Sequence, residues 1–295
     1  MRKQYTKQSN SIQVLSDFWE LTKPGVTFMV VISTFGGFYL ACKSNIHLTL
    51  LVNTIIGSWF VAAGTNALNQ LIERNLDAKM KRTQNRPLPS GRLPTRQVQW
   101  YAISISLIGI LFLWLTVNWL TSLLATITLM SYIFIYTPLK RKTYWSTLIG
   151  AVPGALPAMG GWTAVTGNIT LETWILFSIL FFWQIPHFLA IAWIYREDYA
   201  RGGFPVLPVV DKRGTKTSYH ILITCVALLS VSLLPTLMGL TGVTYLSGAS
   251  ILGITFLIFG IKLTLHKTNR SAKRLLHASI IYLPLLMFLM LADKI

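Results

Sequence analysis

Long apolar runs separated by short polar connections dominate the chain. Nine of these runs approach or exceed roughly 20 residues, the length that an α-helix needs to cross the hydrocarbon core of a membrane. By residue number they extend over 25–42, 48–68, 99–117, 119–139, 145–166, 171–194, 218–238, 243–264 and 275–292. The pattern predicts an all-α, polytopic membrane protein with nine transmembrane helices. We expect residues 23–295 to form a single transmembrane domain, preceded by a polar tail over residues 1–22.

Composition supports this class of protein and excludes others. The 295 residues are 53% hydrophobic and only 12% charged, whereas soluble domains carry about 25% charged residues. The mean hydropathy of +0.55 excludes a soluble globular domain, a disordered chain and a collagen-like chain. The formal net charge is +17, but a chain this apolar is not expected to bind nucleic acid. The two cysteines, Cys42 and Cys225, lie in or beside apolar runs and do not form a disulfide framework.

The positions of the basic residues predict the orientation of the chain. If the nine runs alternate across the membrane, all but two of the 26 Lys and Arg residues fall on one side, and the exceptions are Lys43 and Lys294. Because Lys and Arg accumulate in cytoplasmic loops, we expect a cytoplasmic N-terminus and a C-terminus on the outer side. The tail is short for an organelle transit peptide, which favours the bacterial inner membrane as the location.

The fifth apolar run has an unusual composition for a membrane helix. Its segment GAVPGALPAMGGW contains Pro153, Pro157 and four glycines between Gly150 and Gly161. Proline and glycine are tolerated at membrane depth where neighbouring helices or a cavity satisfy the freed backbone groups. We therefore expect this helix to be broken or kinked and to lie close to a functional site.

Acidic residues are scarce, and the first cluster of them follows the second apolar run. Asn69, Glu73 and Asp77 are spaced i, i+4, i+8, so a helix would present them as one stripe. Two carboxylates and an amide offer hard oxygen ligands that suit Mg²⁺, which proteins usually share with substrate phosphates. The alternative is a solvated helix end with local ion pairs. Since acids near a membrane core are costly unless they are used, we favour a catalytic Mg²⁺ site.

Basic residues near this stripe suit a phosphate-bearing substrate. Arg82 and Arg86 follow at i, i+4, and Lys140 comes after the fourth run on the same predicted side of the membrane. Guanidinium groups bind phosphate oxygens in a bidentate manner, and a lysine contributes a point charge. The set predicts a diphosphate-binding site. Anchoring of the topology by positive charge explains the same residues without any ligand.

Further candidate residues lie in and after the sixth run. Arg196, Glu197 and Asp198 form a second acidic motif that would either hold a second ion and orient the arginine, or make local ion pairs in a turn.

His187 is an ionisable residue within the sixth run, which makes it a functional candidate by default; the alternative is a hydrogen-bonded core residue. Tyr136 and Trp193 are aromatic candidates for an acceptor pocket, where their ring faces would stabilise cations. Core packing is the commoner reason for such aromatic residues.

Four segments of the chain resemble a known family. They are NALNQLIERNLDAKMKRTQNRPLPSGR, YTPLKRKTYWSTLIGAVPGALPAMGGW, FFWQIPHFLAIAW and YREDYARGGFPVLPVV. They are similar to the UbiA-type intramembrane prenyltransferases, and in particular to the branch that farnesylates protohaem IX. The resemblance covers the chain from about residue 20 to residue 292. It implies a nine-helix UbiA-type bundle, Mg²⁺ as cofactor, and haem B and farnesyl diphosphate as substrates.

The same resemblance implies roles for individual residues. The acid stripe would hold Mg²⁺, the nearby basic residues would hold the diphosphate, and His187 would contact haem. Tyr195 and Tyr199 stand where the wider superfamily has aspartates, which leaves Glu197 and Asp198 as local acids and leaves the ligands of a second Mg²⁺ open. The implied product is haem O for cytochrome oxidase, and haem A synthase or oxidase assembly factors are the implied protein partners.

Two other functions share some of these features. A related prenyltransferase with an aromatic or chlorin acceptor would use the same metal chemistry, although the PHF sequence of the sixth run favours the haem branch by resemblance. A transporter would use acids near the bundle interior as coupling sites. The acids cluster on one side of the membrane, next to arginines suited to diphosphate, which argues against transport.

Overall fold

The computed structural model describes residues 11–43 and 46–295, and within them the chain folds as helices with no strand. The helices in chain order are α1 (Ser11–Leu21), α2 (Pro24–Ala41), α3 (Leu48–Asp77), α4 (Thr95–Thr116), α5 (Trp119–Leu139), α6 (Ser146–Thr166), α7 (Leu171–Ile194), α8 (Arg196–Arg201), α9 (Leu207–Val210), α10 (Thr215–Leu237), α11 (Val243–His266) and α12 (Asn269–Ala292).

In this part of the chain, nine helices are long and apolar enough to cross a membrane: α2 to α7 and α10 to α12. The predicted fold class is therefore confirmed, and the protein is a multi-pass integral membrane protein. Some boundaries differ from the prediction. The second span was expected to end at residue 68, but α3 continues to Asp77, so the acid stripe is an extension of a spanning helix.

The fifth span was expected to be broken or kinked, and the structure shows that it is not broken. α6 runs without interruption from Ser146 to Thr166, with Pro153 and Pro157 inside it. Its glycines instead allow close contact with α2, because a Cβ built on Gly161 would collide with the carbonyl oxygen of Thr34. Small residues that let helix backbones approach are a common way of packing membrane helices.

The irregular helix of this region is α5. Its residues Ser131–Tyr136 form a π-helical segment that leads into Thr137 and Lys140. Such segments occur often at functional sites because the extra residue in the turn re-aims the side chains that follow. The segment lies directly before the lysine that the sequence predicts as a phosphate ligand.

The spanning helices pack as one bundle in which α2, α6 and α7 occupy central positions. α2 packs against α3 and α6, α3 against α4, and α7 against α6, α10 and α12. The largest buried hydrophobic cluster combines side chains of α6, α7 and α10 to α12. Large apolar side chains such as Leu115, Ile251 and Phe288 are exposed on the outside, as a bilayer requires.

The two ends of the bundle differ in charge, as the alternation of the spans predicts. Lys43 and Lys294 lie at the same end, where the Lys294 ammonium contacts the carbonyl oxygen of Cys42. The other described Lys and Arg residues lie at the opposite end, which we call the basic end. Arg2, Lys3 and Lys7 belong to the predicted tail and lie outside the described residues.

The described part of the predicted tail is a helix that is fixed to the basic end. Leu21 of α1 is fully buried and Asp17 is nearly so. Arg92 binds the Asp17 carboxylate and donates to Glu20 Oε2 at 2.7 Å. These contacts place α1 beside the loop that follows α3. The domain boundary at residue 22 stays a prediction.

Candidate active site

The last turns of α3 carry a buried polar stripe at the basic end. Asn69, Glu73 and Asp77 expose only 2%, 3% and 1% of their surface. Lys140 Nζ lies 3.0 Å from both carboxylate oxygens of Glu73, and Arg86 Nη1 donates to Asp77 Oδ2 at 2.8 Å. A buried carboxylate requires such a partner, since an unpaired buried charge is strongly destabilising. The structure thus brings the predicted stripe together with two of the three predicted basic residues.

Lys23 adds a cation that the sequence analysis did not assign to the site. Its Nζ donates to Asn69 Oδ1 at 3.0 Å. Burial, reinforced by the nearby Arg86 guanidinium and opposed by the Glu73 carboxylate, lowers the pKa of Lys23 to about 7. An anionic ligand at this position would therefore stabilise the charged form of the lysine.

The backbone conformation of Lys23 is enforced by α3. Its φ of 48° and ψ of 67° lie in the left-handed region, which is unfavourable for a residue with a Cβ. Gln70 Nε2 donates to the carbonyl oxygen of Leu21 at 2.8 Å, and Asn66 Nδ2 donates to that of Thr22 at 3.3 Å. These amides hold the turn between α1 and α2, so the lysine is aimed at the stripe.

Lys140 is held by the irregular end of α5. Asn69 Nδ2 donates to Thr137 Oγ1 at 3.3 Å, which ties this segment to α3. The ammonium also lies 4.7 Å from the ring centre of Phe204. Burial alone would lower the pKa of Lys140, but the Glu73 carboxylate outweighs burial and the pKa lies above its usual value. The lysine is therefore a permanent positive charge at the site.

Arg82 is positioned by the two tyrosines of the second motif. Its guanidinium carbon lies 5.1 Å from the ring centre of Tyr195 and 5.7 Å from that of Tyr199. Nη2 also donates to the Tyr199 hydroxyl at 3.4 Å. Tyr195 and Tyr199 thus hold the arginine through cation–π contacts.

Asp198 joins the two loops of the site. Its carboxylate accepts from the backbone N–H groups of Lys81 and Arg82 at 3.1 and 3.2 Å and also binds Arg201. Burial alone would raise the pKa of Asp198, but these hydrogen bonds outweigh it, so the pKa lies below its usual value. All the contacts of this carboxylate are with protein donors, which is the behaviour of a clamp between loops. Arg196 and Glu197 turn away and line a separate pocket.

A cavity of about 390 Å³ extends into the bundle from Lys23, which contacts Asn69; the three residues of the stripe do not themselves line it. Lys23, Tyr132 and Tyr136 line it at the basic end. Most of the remaining lining is apolar and comes from α2 to α7, and it includes Leu113 near the far ends of the helices. The fifth span, which was expected to lie close to a functional site, contributes Gly150, Pro153, Gly154 and Pro157 of α6 to the wall.

His187 lines this cavity and is held by a chain of hydrogen bonds. Its Nδ1 lies 2.7 Å from Ser279 Oγ, and that hydroxyl donates to the carbonyl oxygen of Leu276 at 2.6 Å. Trp183 stacks on the imidazole with ring centres 5.0 Å apart and donates its Nε1 to the carbonyl oxygen of Ser279 at 2.8 Å. Ser279 has one hydroxyl proton, which it donates to the carbonyl oxygen of Leu276. The hydrogen bond between Ser279 Oγ and His187 Nδ1 therefore uses the imidazole proton, so Nδ1 is protonated and Nε2 keeps its lone pair.

The two aromatic residues predicted for the acceptor pocket, Tyr136 and Trp193, lie in different places. Tyr136 lines the cavity, and a Cβ on Gly150 would meet its ring, so α6 and α5 pack closely here. Trp193, predicted as part of the acceptor pocket, does not line the cavity; it lines the separate pocket beside Arg196. Trp193 and His187 both lie on α7. Trp193 comes six residues later, and the rotation of the helix over this distance directs it away from the cavity.

The donor set at the stripe fits a magnesium ion that is shared with a ligand. The described residues contain no group of three His, Cys, Asp or Glu side chains that would hold a metal without help. Glu73 and Asp77 supply two carboxylates and Asn69 an amide oxygen. Mg²⁺ typically takes one or two protein carboxylates and completes its shell with water and substrate phosphates. The cations around the stripe outnumber the acids, which also favours an anionic ligand.

Several residues of the site gave no strong signal in the sequence. Lys23 was counted among the topology-determining charges, although its position directly before the proline that starts α2 is unusual. Asn66 lies three residues before Asn69 and therefore on the same helix face. This spacing is a sequence signal that identifies Asn66 as a neighbour of the stripe. Ser279 lies in the ninth apolar run, and no regular spacing of polar residues around it marks it as functional. Nothing in the sequence connects it to His187.

Comparison with solved structures establishes the fold. A structure of digeranylgeranylglyceryl phosphate synthase superposes with a TM-score of 0.79 at 19% identity, covering 95% of this chain and 98% of the other. A UbiA homolog from Archaeoglobus fulgidus, bound to GPP and Mg²⁺, gives a TM-score of 0.63 at 16% identity, covering 94% and 99%. At these identities the likeness concerns the fold.

Sequence comparison establishes the family. A relative from Solibacter usitatus, named protoheme IX farnesyltransferase, is 46% identical over 289 residues, which is 95% of this chain and 99% of the relative. A relative of the same name from Salinibacter ruber is 42% identical over 280 residues, with 95% and 99% covered. The model of the UbiA prenyltransferase family matches residues 30–291. The chain belongs to the UbiA prenyltransferase family.

Proposed function

We propose that this protein transfers the farnesyl group of farnesyl diphosphate to a vinyl group of haem B, with addition of water, and so produces haem O and diphosphate. The observation that carries the proposal is one continuous cavity with a cationic head at Lys23 and a histidine, His187, in its wall. A long isoprenoid diphosphate matches the first feature and an iron porphyrin the second. The names of the relatives specify the same pair of substrates.

The diphosphate head would lie among the cations at the end of α3. Lys23, Arg86 and Lys140 already contact the stripe, and Arg82 is held nearby by its tyrosines. These groups would stabilise the negative charge that develops on the leaving oxygen as the carbon–oxygen bond breaks.

Asn69, Glu73 and Asp77 are the residues that would hold Mg²⁺. When bound, the ion neutralises charge on the diphosphate and makes it a better leaving group. Because a bound ion would compensate the two carboxylates, Lys140 and Arg86, which pair with them here, would be able to donate to the diphosphate oxygens.

The acceptor end of the cavity suits haem B. His187 presents a deprotonated Nε2 because its Nδ1 proton is donated to Ser279. A neutral imidazole with its second nitrogen hydrogen-bonded is the usual form of a histidine that binds a metal. We infer that Nε2 binds the haem iron and thereby fixes the vinyl group near the head of the prenyl diphosphate.

The reaction balances with one water molecule. Ionisation of the prenyl diphosphate leaves an allylic cation and diphosphate, and the vinyl carbon–carbon double bond attacks the cation. The new cation beside the porphyrin takes up the hydroxide part of water, and the remaining proton goes to diphosphate or solvent. The rings of Tyr136 and Trp183, which line the cavity, would stabilise the cations by their π faces.

Orientation and location extend the proposal. The basic end would face the cytoplasm by the positive-inside rule, which places the N-terminus inside and the C-terminus outside. We infer a bacterial inner membrane location and haem A synthase or oxidase assembly factors as partners that receive the product. To test the orientation, a tag is fused to the C-terminus of the protein and intact spheroplasts are treated with protease from outside. Cleavage of the tag is expected if the C-terminus lies outside.

One experiment tests the function. The purified protein is reconstituted with haem B, farnesyl diphosphate and Mg²⁺, and the pigments are extracted and identified by mass. Farnesylated, hydrated haem together with Mg²⁺-dependent release of diphosphate is expected. Release of diphosphate only with an aromatic or chlorin acceptor would identify a different acceptor, and no release with any acceptor would refute the prenyltransferase assignment for this chain.

A further inference from the structure

A second pocket opens at the basic end and shares no lining residue with the central cavity. Its volume is about 460 Å³. Four cationic residues line it, contributed by the segment after α7, the segment before α10 and the turn after α11: Arg196, Lys212, Arg213 and Lys267. Two acids, Glu197 and Asp211, also line it, so positive charge is in excess.

The acids do not neutralise this excess. Asp211 Oδ2 accepts from the backbone N–H of Thr217 at 2.8 Å and from its hydroxyl at 3.0 Å. The carboxylate is thereby committed to the first turn of α10, where it also stabilises the helix dipole. Lys267 Nζ donates to the carbonyl oxygen of Arg213 at 3.0 Å, which brings the two basic segments together without using a charge of opposite sign.

Trp193 forms a buried part of the pocket wall. The residue is 6% exposed, and its indole Nε1 is enclosed by protein, out of reach of an occupant of the pocket. Its ring lies 5.5 Å from the guanidinium carbon of Arg196, and Gly214 packs against its edge, where a Cβ would come within 2.6 Å of the ring.

Exposed apolar residues adjoin the pocket. Val210 lies between two lining positions, and Leu265 lies two residues before Lys267; they are 48% and 72% exposed. Both lie at the C-terminal ends of helices, Val210 in α9 and Leu265 in α11. A ligand that combines a phosphate with an acyl chain would cover both the cations and these side chains.

We propose that this pocket binds a phosphate group, and that its occupant is the headgroup of an anionic phospholipid. Basic pockets between transmembrane helices are a known mode of recognition for such headgroups. Arg213 and Lys267 contribute the charge, and Trp193 forms part of the wall. A free phosphate ion offers the same chemistry without the acyl chains, and the experiment below distinguishes the two sources.

The test measures binding to the delipidated full-length protein in a neutral detergent by native mass spectrometry. The probes are short-chain phosphatidylglycerol, short-chain phosphatidylcholine and inorganic phosphate. The pocket variant is K212Q/R213Q/K267Q, and the matched control is K262Q/R270Q/K273Q, which removes the same charges from exposed positions at the same end that do not line the pocket.

The pocket variant should bind phosphatidylglycerol roughly a hundredfold more weakly, because each of the three basic residues contributes about 1 kcal/mol to binding. The affinity of the control variant should change little. Preference for phosphatidylglycerol over phosphatidylcholine supports the lipid, and tighter binding of inorganic phosphate that depends on the same residues supports the phosphate site with a soluble occupant. Equal losses in the pocket and control variants, or no loss in the pocket variant, would overturn the proposal.

Discussion

The buried ion pair between Glu73 and Lys140 allows a test that separates folding from catalysis. The two groups are 3.0 Å apart, and their side chains are 3% and 16% exposed. At this distance and an effective dielectric constant of about 20, their attraction is about 5 kcal/mol. Replacing Glu73 with glutamine removes this attraction and leaves a buried ammonium without a counter-charge. We expect E73Q to lower the free energy of unfolding by about 3 kcal/mol, at the low end for buried pairs because Lys140 is partly exposed.

The double variant E73Q/K140M distinguishes the two roles. It removes both charges, so the free energy of unfolding should return to within about 1 kcal/mol of the original value. Farnesyl transfer should remain at least about a thousandfold lower, because the proposed metal ligand and a phosphate-binding charge are both missing. E172Q, which changes an acid at the opposite end, is the matched control and should retain stability and activity.

The assay combines reversible unfolding in mixed micelles with turnover measured on extracted haem. Stability of the double variant without activity is the expected outcome. The reasoning is refuted if the double variant makes haem O at the normal rate, because the stripe is then not catalytic. It is also refuted if E73Q unfolds like the unmodified protein, because the pair then contributes no charge compensation.

Three further predictions concern separate parts of the site. S279A should weaken haem B binding about tenfold and shift the haem absorption spectrum, because the buried His187 Nδ1–H loses its acceptor; an unchanged spectrum would contradict the orienting role, and S250A in α11 is the control. D198N should destabilise the protein by about 1.5–3 kcal/mol and leave the Mg²⁺ concentration for half-maximal activity unchanged; a raised Mg²⁺ requirement would instead favour Asp198 as a metal ligand. G161L should prevent assembly of α2 against α6, whereas G160A, whose Cβ meets nothing within 4 Å, should be tolerated; comparison of folded yield by size-exclusion chromatography checks this.

Patterns among residues that are close together in the sequence were sufficient to predict the architecture. Apolar length set the number of spanning helices, because each must satisfy its backbone within one bilayer thickness. The alternation of basic loops predicted that Lys43 and Lys294 share an end, and the contact between Lys294 and Cys42 places them there. The i, i+4, i+8 spacing predicted a single stripe for Asn69, Glu73 and Asp77, because helical periodicity depends only on residues close in the chain.

Contacts between distant segments were decided by packing. Lys23 approaches Asn69 across 46 positions and His187 meets Ser279 across 92, and no periodicity encodes such separations. The same reason explains where the expectations were wrong. The prolines of α6 predicted a break that its packing against α2 does not require.

Trp193 was assigned to the acceptor pocket from its nearness to His187 in the chain, but the rotation of α7 aims it elsewhere. The sequence by itself therefore determined the helices, their number and the composition of the acid stripe, since these follow from local spacing and from the thickness of a bilayer. The tertiary structure alone decided which cation pairs with which acid, which nitrogen of His187 is free and which side chains share a cavity, because these depend on how the helices are packed against each other.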